Sequence, residues 1–354
     1  MKARVRNIVI LSSLAILLIV SPSLFADSGA NHQRRNTHFG VSGGNVNDIS
    51  RRFCCSGTLG SLVQAGGTQY ILSNNHILGR SGQASAGEDI SQPGLVDSNC
   101  APATIVADFT VAPSLSSNVD CAVAQLRAGQ MDATGFIEDI GTISSVVKTP
   151  SVGLGVAKSG RTTGFTTGTI ASISTTVQVR YSRSCGGGGG AIHTFTNQVV
   201  INGSTFSAGG DSGSLIVSND AQTCHQPVAL LFAGSNTSTI GNPVGDVLSQ
   251  LSSSLGSAAT FVGGTCSASA APAVSDNAPN DAAVAFAISV KQSHERDLMS
   301  RKGVIGVGVG SRDLDPTQAA IVVYVDQTGR TPSLPRRING VRVKVVPTEP
   351  FVAY

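Results

Sequence analysis

Residues 206 to 215 read "FSAGGDSGSL". A serine hydroxyl is a poor nucleophile at neutral pH. It reacts where a base takes its proton, an acid orients that base and donors meet the oxyanion. Gly, Asp and Ser also build ordinary turns, so Ser212 needs partners elsewhere in the chain. Of the 6 histidines, His32 and His38 fall in a polar N-terminal segment, His193 and His225 in loops near Cys185 and Cys224, and His294 near the other end. His76 differs: in "YILSNNHIL" it follows a strand-like run and precedes another apolar pair. Asp120, in "NVDCAVAQL", opens an apolar strand, where a half-buried carboxylate is costly without a partner. Asp97 and Asp108 stand in more polar stretches. His76, Asp120 and Ser212 are therefore the candidate base, orienting acid and nucleophile.

The elements that must position them are mostly strands. From about 50 to 262, short apolar runs alternate with Gly, Ser, Thr and Asn clusters. Leu59 to Val63 and Tyr70 to Leu72 flank Gly66-Gly67, a hairpin signal. Thr104 to Val106, Ala122 to Leu126, Thr169 to Val179, Gln198 to Ile201 and Ala229 to Phe232 read as further strands. Asn242-Pro243 opens an amphipathic helix to about Leu255, with Pro at its first position. Residues 263–282 form an Ala/Ser/Pro linker. A small α+β unit follows at 283–354, with a helix over Ala283 to Arg301 and strands around 305–309, 321–325 and 341–345.

The first 26 residues read as a secretory signal. Lys2, Arg4 and Arg6 precede an apolar run from Ile8 to Val20 that Ser21-Pro22 breaks. That run is short for a spanning helix, so the expectation is export with no stable membrane span after removal. Segment 27–49 would then lead the mature chain. Residues 27–282 hold 11 Lys plus Arg against 15 Asp plus Glu, and 283–354 hold 10 against 6. No basic stripe suggests nucleic acid, and the opposite signs favour docking of 283–354 on the rest. The 7 cysteines suit an oxidising compartment and leave at least one unpaired. Spacing does not fix connectivity. Cys55 with Cys100 and Cys185 with Cys224 are the expected pairs, and Cys121, in an apolar strand, the buried free thiol. No C-x-x-C spacing suggests a metal, and no cofactor motif is present.

Taken together, these motifs resemble the chymotrypsin-like serine peptidases, in the order His76, Asp120, Ser212. "VAKSGRTTGFTTGTI" (156–170) is similar to the opening of the second barrel in secreted bacterial members such as α-lytic protease and the streptogrisins. "PVALLFAGS" (227–235) resembles the strand lining the specificity pocket. The resemblance covers about residues 40–262. It implies an all-β fold of two six-stranded antiparallel barrels, about 50–145 and 150–262, with a C-terminal helix. It implies that Ser212 attacks the carbonyl, His76 shuttles the proton and Asp120 holds the imidazole. The amides of Gly210 and Ser212 would form the oxyanion hole, and Arg161 would pair with a buried Asp211. Phe206 would floor the specificity pocket, with Ser207 and Ala208 on one wall and Phe232, Ala233 and Gly234 on another. That lining suggests small or medium apolar side chains. Phe232 also stands where many members place a serine that supports the catalytic acid.

Other hydrolase patterns fail. Position 214 is Ser, which breaks G-x-S-x-G, and Gln222 stands where an Asp-x-x-His motif would need its acid. The remaining alternative is a catalytically silent protease-like module for binding or adhesion. For 283–354 the expectations are an intramolecular inhibitor or chaperone, with "EPFVAY" lying across the site, or an accessory binding domain.

Overall fold

The computed structural model describes residues 30–187, 190–219, 224–265, 278–330 and 332–353. The expected signal at 1–26, Cys266 and most of the 263–282 linker lie outside the described residues. The strands of the first half are β1 (Val41–Asn45), β2 (Gly57–Leu59), β3 (Ser61–Ala65), β4 (Thr68–Ser73), β5 (Asp89–Gln92), β6 (Thr104–Val111), β7 (Ala122–Leu126), and the minor pair β8 (Phe136–Ile137) and β9 (Gly141–Thr142). The second half adds β10 (Gly155–Gly160), β11 (Gly164–Arg180), β12 (Ile192–Asn202), β13 (Leu215–Ser218), β14 (Pro227–Gly234), β15 (Ser238–Pro243) and β16 (Thr260–Phe261). Then come β17 (Val304–Ser311), β18 (Ala319–Asp326), β19 (Arg337–Ile338), β20 (Val341–Thr348) and β21 (Phe351–Ala353). Three helices are α1 (Asn75–Leu78), α2 (Val244–Leu255) and α3 (Asp281–Ser300).

The fold is mostly β, in two curled sheets that match the expected pair of barrels, with antiparallel pairing except where β20 joins β18 and β21 joins β11. One sheet runs β16-β3-β4-β7-β6-β5-β1-β2. It curls around Leu62, Ile71, Val123 and Phe261, all buried. In the other, β10-β13-β14-β15-β12-β11 closes on itself because β11 pairs back with β10. That closure leaves six strands around a core of Val156, Ile170, Ile201, Phe206 and Ile216. Gly66 and Gly67 both take positive φ, 55° and 80°, as the tight β3–β4 hairpin demands. The apolar run at 59–63 is not one strand. It breaks at Gly60, where a Cβ would lie 1.8 Å from the Gly213 carbonyl oxygen.

β11 is 17 residues long and slips register against β12 at three places. Such bulges bend a strand. Its other edge carries β17, through Ser172↔Gly310 and Val177↔Gly306, and β21 in parallel, through Val179↔Phe351. The 283–354 region thus adds its strands to the second barrel's sheet. Helix α3, capped by the Asn280 side chain accepting from the Ala283 amide, covers β17 and β18 through Ala287, Val290 and Leu298.

The cysteine pairs differ from those expected. Cys54 bonds Cys100, and Cys55 bonds Cys185. The loop after β11 folds back onto the segment before β2, so Cys185 meets Cys55 across 130 residues of sequence. Cys224 is also oxidised, and Cys121 is a buried free thiol. Burial and the adjacent Asp120 charge push that thiol well above its usual range.

Candidate active site

Helix α1 is a single turn between β4 and a run of turns, and it carries His76 in its first turn. The asparagines before it fix its position. The Asn74 amide group donates to the Asp120 carbonyl at 2.7 Å, and that of Asn75 to the Pro113 carbonyl at 2.9 Å. Asp120, just ahead of β7, is fully buried. Its carboxylate accepts from His76 Nδ1 at 2.6 Å and from the His76 amide at 3.2 Å. The Asp120 amide in turn donates to Asn242 at 2.9 Å. A buried carboxylate joined to Nδ1 fixes the tautomer, leaving Nε2 as the basic face.

Tyr181 completes this arrangement and was not foreseen from the sequence. Its hydroxyl donates to Asp120 Oδ2 at 2.6 Å. It supplies the donor that Phe232 cannot provide. Burial, then the Asp120 charge and the bond to it, push the phenol well above its ordinary range, so it stays a donor. The ring packs edge-on to His76, with centroids 6.0 Å apart. Tyr181 follows directly on β11, and the Cys55–Cys185 bridge ties its loop to the first sheet.

The Gly-Asp-Ser-Gly run is a tight turn leading into β13. The amides of Asp211, Gly213 and Ser214 donate to the carbonyls of Ala208, Leu231 and Asp211. Those of Gly210 and Ser212 donate to no backbone carbonyl among the described residues. Gly210 has φ +99°, and a Cβ there would lie 2.5 Å from Thr162 Oγ1. Thr58, on β2 of the opposite sheet, clamps this turn. Its amide donates to the Ser212 carbonyl at 2.8 Å and its hydroxyl to the Gly210 carbonyl at 3.0 Å. The close approach of β2 also requires Gly213, since a Cβ there would lie 2.2 Å from the Thr58 carbonyl oxygen. No sequence pattern marks Thr58. The Ser212 hydroxyl is buried and donates to the Phe232 carbonyl at 3.2 Å.

Asp211 is fully buried, as expected, but Arg161 is not its cation. The Arg161 guanidinium bonds Asp97 at 2.7 and 2.6 Å. Asp211 faces Lys158, with Nζ 3.5 Å from Oδ2 and both side chains buried. It also accepts from the Thr162 and Thr163 amides, the Thr163 hydroxyl and the Ala208 amide. The reason is strand alternation: on β10, Lys158 shares the inward face of Val156, whereas Arg161 lies past the strand end. Burial lowers the Lys158 ammonium's pKa, and Asp211 opposes that shift.

The expected pocket lining is also corrected. Phe206 and Phe232 are core residues, 2% and 0% exposed. Phe206 packs in the second-barrel core against the Gly168 backbone rather than flooring a pocket. Ala233 and Gly234 are buried on β14. Ser207 and Ala208 do line a cavity of about 590 Å³, with Ser204, Ser235 and Asn236. Its walls mix these polar groups with the apolar surfaces of Pro350 and Val352. A second cavity, about 310 Å³, holds His76, Asp48, Tyr181, Arg161, Gly210 and Ala353. Burial pushes the Asp48 carboxyl up to about 6, against the lowering effects of His76 and Arg80.

Of the other described histidines, His193 packs its ring edge-on to Tyr181 with centroids 5.3 Å apart. His32 bonds the Gly40 carbonyl and Asp139, and His38 bonds Glu138. Asp108 is engaged by Arg127. No helix among the described residues is long and apolar enough to cross a membrane. No cluster of three or more potential metal ligands occurs among them.

No family model and no curated protein matches this sequence. Among solved structures, a glutamic-acid-specific serine protease described as using a histidine triad in substrate binding is 20% identical. The match covers 63% of this chain and 98% of that one, with a TM-score of 0.42. Protease A of Thermobifida fusca is 18% identical over 64% of this chain and 99% of its own, TM-score 0.43. A Nocardiopsis protease is 17% identical over 60% and 95%, TM-score 0.41.

Proposed function

We propose that the protein is a secreted serine endopeptidase that forms an acyl-enzyme on Ser212. The observation that carries this reading is the buried Asp120–His76 bond, at 2.6 Å, on the same cavity as a turn whose Gly210 and Ser212 amides meet no backbone acceptor among the described residues. His76 removes the Ser212 proton as the oxygen attacks the scissile carbonyl. The two amides stabilise the resulting oxyanion. His76 then donates its proton to the leaving amine, and water repeats the sequence to release the acyl group. Asp120, held by Tyr181, stabilises the imidazolium. The disulfides fit an oxidising compartment. The expected preference for small or medium apolar side chains loses Phe206 as its floor, since that ring lies in the core, and rests on the mixed polar and apolar cavity that Ser207 and Ala208 line.

The test is covalent labelling with a fluorophosphonate probe, together with hydrolysis of dye-quenched casein. Wild type labels at Ser212 and cleaves casein; Ser212→Ala does neither. A wild type that labels no more than Ser212→Ala is a silent protease-like module instead.

A further inference from the structure

We propose that residues 351–353 occupy the peptide-strand site of the candidate cleft, so that this segment excludes substrate in cis. The inference rests on the peptidase reading for its consequence, and on strand geometry for its observation.

β14 contributes the carbonyl of Phe232, which receives the Ser212 hydroxyl. β21 pairs antiparallel with β14 immediately beyond that point, through Ala233↔Ala353 and Gly234↔Val352. The direction matters. Along β21 the chain runs toward Phe232, so its carbonyl-terminal side approaches the nucleophile. An acyl donor must enter with this polarity, with its scissile carbonyl last. Ala353 lines the same cavity as His76 and Gly210. On its other edge β21 pairs with β11, through Val179↔Phe351 and Arg180↔Val352. An extended segment held between two strands gains affinity from backbone bonds and specificity from alternate side chains.

One of those side chains is anchored. Phe351 is buried in one apolar cluster with Val177, Val179, Phe195 and Phe232, and its ring meets Tyr324 edge-on at 5.9 Å. Val352, the next residue, is partly exposed. The strand site therefore reads an extended peptide with an aromatic residue two positions before the one paired with Ala233. The 283–353 region supplies such a peptide itself, and Tyr324, part of the well, comes from the same region. A tethered segment works at an effective concentration in the millimolar range. Even a weak strand with a Kd of about 0.1 mM then lowers the free-site population roughly tenfold.

The experiment compares the full chain with a form lacking residues 350–354 and with Val352→Pro. The proline removes a ladder N–H at a partly exposed position and leaves the core intact. Casein hydrolysis and fluorophosphonate labelling are measured on all three, and thermal melts confirm that each is folded. A fluorescent peptide of sequence "TEPFVAY" is titrated by anisotropy onto each, and onto Ser212→Ala forms. Casein hydrolysis about tenfold or more faster in both variants, with the peptide binding the shortened form but not the full chain, supports the inference. Folded variants that hydrolyse and label at the full-chain rate and do not bind the peptide overturn it, while the peptidase reading stands. Peptide binding to the shortened form alone, with no labelling or hydrolysis in any form, supports strand occupancy and overturns the peptidase reading. Neither binding nor reaction overturns both.

Discussion

Replacing Lys158 with Met keeps most of the buried stem and removes its charge. Asp211 then loses a cation 3.5 Å away. At an effective dielectric of about 20 that attraction is roughly 5 kcal/mol before desolvation is counted. Four donors remain on the carboxylate: the Thr162, Thr163 and Ala208 amides and the Thr163 hydroxyl. Breaking a buried pair usually costs about 3–5 kcal/mol. With those donors retained, the loss for Lys158→Met should fall at or just below the low end of that range, about 2–3 kcal/mol. Asp211→Asn leaves an ammonium whose remaining acceptors are Thr163 Oγ1 and the Gly164 carbonyl, so it should cost at least as much. Urea denaturation of both single variants and the double variant gives the coupling directly. A value of about 2 kcal/mol is expected for 158–211. The parallel cycle with Arg161→Met and Asp211→Asn should give less than about 0.5 kcal/mol, because Arg161 is committed to Asp97. A larger coupling of Asp211 to Arg161 than to Lys158 would refute the assignment.

Tyr181→Phe removes one donor from Asp120. It should destabilise the fold by about 1.5–3 kcal/mol, the range for a hydrogen bond to a charged group. It should also move the acid limb of kcat/KM upward in pH, because more of the Asp120 charge then falls on His76. An unchanged melt and pH profile would remove Tyr181 from the positioning role. Glu88 is opposed by burial, but bonds from Arg80, the Ser85 amide, Asn45 and Asn47 prevail and hold it at about 2. Its stabilisation is present above its unfolded pKa and is lost as pH falls toward about 2. Glu88→Gln should therefore flatten the stability curve over that acid range, as read by urea midpoints at successive pH values.

Local signals carried much of the strand pattern. The Gly66-Gly67 hairpin, the β7 run after Asp120 and the helix after Pro243 are marked by residues adjacent in sequence. His76 and Asp120 were identifiable because a polar residue at the edge of an apolar run is costly without a purpose. What stayed hidden depends on pairing between distant segments. Two cations three residues apart, Lys158 and Arg161, could each serve Asp211, and only the inward face of β10 separates them. Cys54 and Cys55 are neighbours whose partners follow from a loop returning across the cleft. Tyr181 and Thr58 act through contacts with residues 61 and 152–154 positions away, and nothing nearby in sequence announces either. The resemblance puts Phe206 at the floor of a pocket, but a large ring beside the bare backbone of Gly168 turns into the core.

The outer edge of β11 has a further consequence for handling the protein. From Ser172 to Arg180 its backbone groups are met by β17 and β21. An uncovered strand edge is a template for pairing with other chains. Residues 30–265 produced without the following region would expose much of a long, bent strand, and intermolecular sheet growth would compete with folding. Relief of the cleft and protection of that edge are therefore separable. Removing β21 alone leaves β17 in place as a guard against self-association.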